Sequence, residues 1–231
     1  KARLAYVLPN FQNPTGRTMT EARRAALVAK AAELGIPLIE DNPYGELWFG
    51  EAPPAPLTAR NPDGCIYMGS FSKVLAPGLR IGFLVAPQAI YPKLLQAKQA
   101  ADLHTPGFNQ RVVAEVIQGD FLARHVPTIR ALYQRQRDTM LAALTREMAG
   151  LDVTWTRPAG GMFLWLRLPA GMDAQALLPT AVERNVAFVP GAPFYATEAD
   201  ARTLRLSYVT ASSAQIDTAI AALAEAIRAQ G

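Results

Sequence analysis

The chain has 231 residues, half of them hydrophobic and 18% charged, a globular composition with apolar material for one large domain or two smaller ones. Its net charge of +4 is mild, and its arginines are dispersed along predicted helices without a basic cluster or an aromatic-interleaved stripe, which argues against nucleic acid. No apolar run approaches the roughly 20 residues of a membrane span, nothing in the first residues resembles a signal peptide, and a single cysteine, Cys65, excludes an internal disulfide and fits a reducing cytoplasm.

The chain enters an apolar run almost at once. "LAYVLP" (4–9) reads as a buried strand, and the abrupt start without an initiator methionine suggests a piece of a longer protein. A loop with Asn13, Pro14 and Gly16 follows, then a helix capped near Thr20 and closed by Gly35. "PLIEDN" (37–42), "CIYMGS" (65–70) and "IGFLVAP" (81–87) are short apolar runs between turn residues, as in strands buried on both faces. Strands alternating with helices predict an α/β fold with a mainly parallel sheet. From about residue 88 helical periodicity dominates, including a long amphipathic segment over 129–148. Strand-like "GMFLWLRL" (161–168), a helix near 173–184, "VAFVP" (186–190), "LRLSYV" (204–209) and an Ala-rich helix over 213–229 complete a smaller α+β domain. The expected division is 1–130 for the C-terminal part of a large domain, its sheet incomplete, and 131–231 for a small domain.

In open parallel sheets, ligands sit beyond the carboxyl ends of the strands. Three loops with that placement carry Asn13; Asp41 and Tyr44; and Ser70, Ser72, Lys73 and Arg80. Each has an ordinary reading: a surface lysine, a cap or turn aspartate, a packed tyrosine, a Pro-Gly turn, a serine strand exit, an arginine paired with a carboxylate. Together, an amine able to lose its proton, a carboxylate, a phenol, a carboxamide and a Ser/Arg pair suit a phosphorylated aromatic aldehyde. Lysine would bond the aldehyde, the carboxylate would keep the ring nitrogen protonated, and hydroxyls with a guanidinium would anchor the phosphate. That ligand is pyridoxal phosphate.

The ordered set "NFQNPTG" (10–16), "EDNPYGEL" (40–47), "GSFSKVLAPGLRIG" (69–82), "PAGGMFLWL" (158–166) and "LRLSYV" (204–209) resembles the fold-type I, class I/II aminotransferases, nearest the 2-aminoadipate and kynurenine aminotransferase group. The resemblance implies a homodimeric transaminase that moves an amino group between an L-amino acid and a 2-oxo acid, commonly 2-oxoglutarate, by a ping-pong route. Within it, Lys73 matches the lysine of the internal aldimine, Asp41 the pyridinium partner, and Tyr44 and Asn13 the groups bonding the ring's phenolic oxygen. Ser70, Ser72 and Arg80 match the phosphate site, and Arg205 the fork that grips the substrate carboxylate, with Asn13 also beside the substrate. The family's earlier phosphate loop, ring-stacking aromatic residue and N-terminal arm have no counterpart after Lys1, so the isolated chain is expected to fold poorly or to bind the cofactor weakly. The resemblance leaves a second class open, the aminotransferase-like effector domain of a pyridoxal-phosphate-sensing transcription regulator, and a third, an inactive fragment.

Other residues read as structural. His104 and His125 lie too far apart for a metal site, Cys65 packs at the start of a strand, and Trp155, Phe163 and Trp165 fill the small domain's core, with the "GGMF" turn (160–163) open to an approach to the substrate. Asn109 sits at a helix entry as a cap or a dimer contact.

Overall fold

The computed structural model describes residues 2–230. They form two compact units: the chain up to Asn10 together with Thr18–Ile129, and Phe11–Arg17 together with the chain from Arg130 onward.

The first unit is built on a four-stranded sheet of β1 (Ala5–Val7), β2 (Leu38–Asp41), β3 (Cys65–Ser70) and β4 (Gly82–Val85), in that spatial order. β1, β2 and β3 run parallel, and β4 returns antiparallel to β3, with Gly82 opposite Ser70. Helix α1 (Glu21–Leu34) has the ends that the sequence predicts: Thr20 Oγ1 accepts the Arg23 amide at 3.4 Å, and Gly35, at φ 62°, closes the last turn onto Ala31 and Ala32. The period-2 pattern of the strands sorts the side chains. Ala5, Val7, Leu38 and Cys65 turn to one face and pack with Leu27, Val28 and Ala31 of α1 and Leu57 of the short helix α2 (Leu57–Arg60). Glu40 shares that face and is fully buried; its carboxylate accepts the Leu57 and Thr58 amides at 3.1 and 3.0 Å and the Thr58 hydroxyl at 3.0 Å, which satisfies the start of α2. Tyr6, Ile39, Asp41 and Ser70 turn to the opposite face.

Two strands differ from expectation. β1 leaves Tyr6 exposed, and all four residues of β4 are exposed, including Phe83, Leu84 and Val85, whereas burial on both faces was expected. The reason is position, because β1 and β4 are the outer strands of this sheet and only β2 and β3 have neighbours on both sides. Helices α3 (Tyr91–Asp102) and α4 (Gly107–Ile117), and the start of α5 (Phe121–Glu147), account for the helical periodicity beyond residue 88.

The second unit holds an antiparallel sheet of β5 (Thr154–Trp155), β6 (Phe163–Arg167), β8 (Thr203–Ser207) and β7 (Val189–Pro190). Leu164, Leu166, Leu204 and Leu206 are buried on its two central strands. Leu177 and Ala181 of α6 (Ala174–Glu183) and Ile216, Ile220, Leu223 and Ile227 of α7 (Ser213–Gln230) give each helix one buried stripe at helical spacing. Asp173 caps α6 by accepting the Gln175 and Ala176 amides at 2.7 and 3.3 Å. Fully burying one such leucine contributes roughly 1.5–3 kcal/mol, so these stripes carry much of the unit's stability.

Candidate active site

In the first unit, parallel pairing brings the carboxyl ends of β1, β2 and β3 to one edge of the sheet. Asp41 is the last residue of β2 and half-buried; the phenol of Tyr6 on β1 donates to its Oδ2. Tyr44 lies in the turn that follows and is buried, with 7% of its surface exposed. Asn42, between them, accepts from Asn10 Nδ2 at 2.8 Å and donates to the Tyr67 hydroxyl at 2.9 Å. Asn10 Oδ1 in turn accepts from Arg24, a fully buried guanidinium of α1 that also donates to the carbonyls of Pro9, Met19, Pro54 and Ala55. Burial lowers the pKa of Arg24, yet its carbonyl acceptors satisfy it without an ion pair. This hydrogen-bonded chain fixes the exits of β1 and β2 against each other.

Ser70 ends β3, and its Oγ accepts the Ser72 amide at 3.1 Å. Because β4 starts opposite Ser70, the connection 71–81 stays at the same sheet edge and carries Ser72 and Lys73, both half-buried, and Arg80, which is exposed. Arg80 follows a 3-10 turn (Pro77–Leu79) and takes the left-handed conformation, φ 55°. Asn109 in α4 donates to the Leu79 carbonyl at 3.0 Å and so tethers that turn; its side chain therefore caps neither its own helix nor a loop of it. Asp41 and Ser70 at strand ends, and Tyr44, Ser72, Lys73 and Arg80 in the connections that follow, thus stand at one end of a single sheet.

The second unit gathers the other two predicted residues. Arg205 Nη1 on β8 donates to Asn13 Oδ1 at 2.7 Å, although 192 positions separate them. Its guanidinium carbon stands 4.2 Å from the centroid of the Phe163 ring and 5.6 Å from that of Phe194, so the planar fork lies against aromatic faces. Phe163 is buried, as a core reading requires, but Trp155 and Trp165 are only half-buried, and Trp165 meets Phe194 edge-on at 5.9 Å. The loop that carries Asn13 is held by a tight turn. Thr15 Oγ1 donates to Gln12 Oε1 at 2.5 Å, the Gly16 amide donates to the Gln12 carbonyl at 2.6 Å, and Gly16 at φ 68° presses so closely on β6 that a Cβ would stand 2.5 Å from the Phe163 carbonyl oxygen. A separate groove of about 650 Å³ between α5, the segment 184–187 after α6, β8 and α7 contains none of these residues.

Among the described residues no cluster of histidine, cysteine and acidic side chains could hold a metal ion, and His125 stacks on Phe121 instead. Cys65 is fully buried, and burial pushes its thiol up to about 11.

The chain matches the family described as aminotransferase class I and II over residues 5–223. It belongs to that family. It is 45% identical over 232 residues to the 2-aminoadipate transaminase of Thermus thermophilus, covering 99% of this chain and 58% of that protein. The solved kynurenine aminotransferase of Pyrococcus horikoshii, in complex with PMP, KYN and KYA, superposes with a TM-score of 0.95 at 42% identity, over all of this chain and 57% of that one. An uncharacterised HTH-type transcriptional regulator of Bacillus subtilis, YisV, is 36% identical over 97% of this chain and 46% of its own length. The chain spans a little more than half the length of these two aminotransferases and a little less than half that of YisV.

Sequence reasoning overlooked Tyr6, Asn10, Arg24, Asn42 and Tyr67 around Asp41, and it placed Phe163 in the core without its contact to Arg205. Asn10 and Asn42 stand within the quoted motifs and could have been noticed there. Arg24, in "EARRAALV", has no sequence signal that separates it from its exposed neighbours.

Proposed function

We propose that the full-length protein is a pyridoxal-phosphate-dependent aminotransferase that moves an amino group between an L-amino acid and a 2-oxo acid, 2-oxoglutarate foremost, by a ping-pong route. The observation that carries this reading is the convergence of Asp41, Tyr44, Ser70, Ser72, Lys73 and Arg80 at one edge of the first unit's sheet. That donor set suits the cofactor. Asp41 would pair with the ring nitrogen, Tyr44 with the phenolic oxygen, and Ser70, Ser72 and Arg80 with the phosphate. Lys73 would bond covalently through Nζ to the aldehyde carbon, with loss of water, and afterwards carry the proton between the substrate's alpha carbon and the cofactor. When bound, the cofactor would supply an electron-accepting ring, while this chain would hold and orient it and move the proton through Lys73.

Arg205 is assigned to the substrate's alpha-carboxylate, which a guanidinium can hold at two points. Asn13, already hydrogen-bonded to Arg205, is assigned to the phenolic oxygen and the substrate side of the site. Residues 1–130 are read as the cofactor-binding large domain and 131–231 as the small domain, in a homodimeric cytoplasmic enzyme. The relative at 45% identity is named a transaminase, which supports an enzyme over the regulator reading suggested by the relative at 36%.

The test is transamination by the full-length protein with pyridoxal phosphate, a panel of acidic, aromatic and branched amino acids, and 2-oxoglutarate, with glutamate as the product followed. Glutamate formation that depends on the cofactor and is abolished by Lys73→Ala is expected. No turnover with any of these amino acids, together with cofactor-dependent DNA binding, would favour the regulator.

A further inference from the structure

Tyr6 sits on β1, opposite Ile39 of β2, and Asp41 lies two residues further along β2 on the same face. From there its phenol donates to Asp41 Oδ2. No motif contains Tyr6, and the residue is 52% exposed, so packing alone does not explain an aromatic residue there. We infer that Tyr6 is a positioning residue for the amino-group transfer: it fixes the plane of the Asp41 carboxylate, leaving Oδ1 for the cofactor's ring nitrogen. This rests on the reading of Asp41 as the ring-nitrogen partner.

The physical reasons are two. A carboxylate at a strand end can rotate about its last bond, and a donor held by the neighbouring strand stops that rotation. The same bond occupies Oδ2, so the carboxylate presents its other oxygen in a set direction. Partial desolvation, followed by the bond to Asp41 and its charge, pushes the Tyr6 phenol up to about 12, and it remains a donor at neutral pH. Asn42 acts from the opposite face of the same strand end, through Asn10 and Tyr67, so Tyr6 alone among these polar groups reaches the carboxylate itself.

The experiment is a double-mutant cycle in the full-length protein with Tyr6→Phe and Asp41→Asn. It is read by titration of the apoenzyme with pyridoxal phosphate and by single-turnover kinetics of the amino-acid half-reaction. Tyr6→Phe is expected to weaken cofactor binding about three- to tenfold and to slow the single turnover by a similar factor, with amino-acid affinity within about twofold. In the Asp41→Asn background the same change should alter neither value by more than about twofold. Incorporating 3-fluorotyrosine at position 6 keeps the donor and should restore wild-type behaviour. Equal losses in both backgrounds would mean that Tyr6 merely packs, and no loss in the wild-type background would likewise overturn the inference. If Asp41→Asn itself left binding and turnover unchanged, the assignment of Asp41 would fall instead.

Discussion

Arg205→Lys keeps the charge on β8 and removes the fork. In the structure the guanidinium lies 4.2 Å from the Phe163 centroid and gives one N–H to Asn13 at 2.7 Å, an arrangement that holds the plane of the fork. A lysine would bind the substrate's carboxylate at one point. The lost charge-assisted hydrogen bond amounts to about 1.5–3 kcal/mol and the lost stacking to about 0.5–1 kcal/mol. The retained ammonium recovers part of this, so a net loss of about 2–3 kcal/mol is expected, or about 30- to 150-fold in affinity for the amino acid. Stopped-flow measurement of the half-reaction at varied amino-acid concentration separates affinity from the rate at saturation. Cofactor affinity should change by no more than a few-fold, because Asn13 loses one partner only. An unchanged amino-acid affinity would refute the carboxylate role, and a collapse of cofactor binding alone would point to Arg205 as a cofactor ligand.

Gly16 and Gly35 share a left-handed backbone, φ 68° and 62°, but only Gly16 is crowded, by the Phe163 carbonyl. Gly35→Ala is expected to cost roughly 1 kcal/mol, the conformational penalty alone, and Gly16→Ala at least about twice as much; equal shifts in urea midpoint would contradict the crowding. The raised pKa values of Cys65, about 11 against an ordinary 9.0, and of Tyr6, about 12 against 10.0, mean that the folded chain holds these protons more tightly than the unfolded one. Their contribution is therefore present below pH 9 and lost as pH rises through about 11 to 12. A urea midpoint falling over that window, and a Cys65 thiol unreactive to iodoacetamide at pH 8 until the protein unfolds, are expected; a midpoint level to pH 12 would contradict them.

Much of this was legible because local chemistry decided it. Thr20 and Gly35 bound α1 through capping that depends on a few adjacent residues, and "CIYMGS" is β3 because an apolar run between turn residues can be little else. Burial at β1 and β4 was not legible, since whether a strand is central or peripheral depends on what pairs beside it and not on its own residues. "VAFVP" shows the same limit: Val186 and Phe188 are buried as expected, yet only Val189 and Pro190 pair with β8. The loops bearing Asp41, Lys73 and Arg80 could be found by their place after strands. Tyr6 and Arg24 could not, because their contacts depend on the β1–β2 register and on backbone carbonyls that no side-chain pattern reveals.

The central claim is that Lys73 is the residue that bonds pyridoxal phosphate. The direct test is to mix the protein with pyridoxal phosphate, reduce it with borohydride and map the modified peptides by mass spectrometry. A cofactor adduct confined to Lys73 is the expected result. An adduct on other lysines in the full-length protein, with Lys73 unmodified, would contradict the claim.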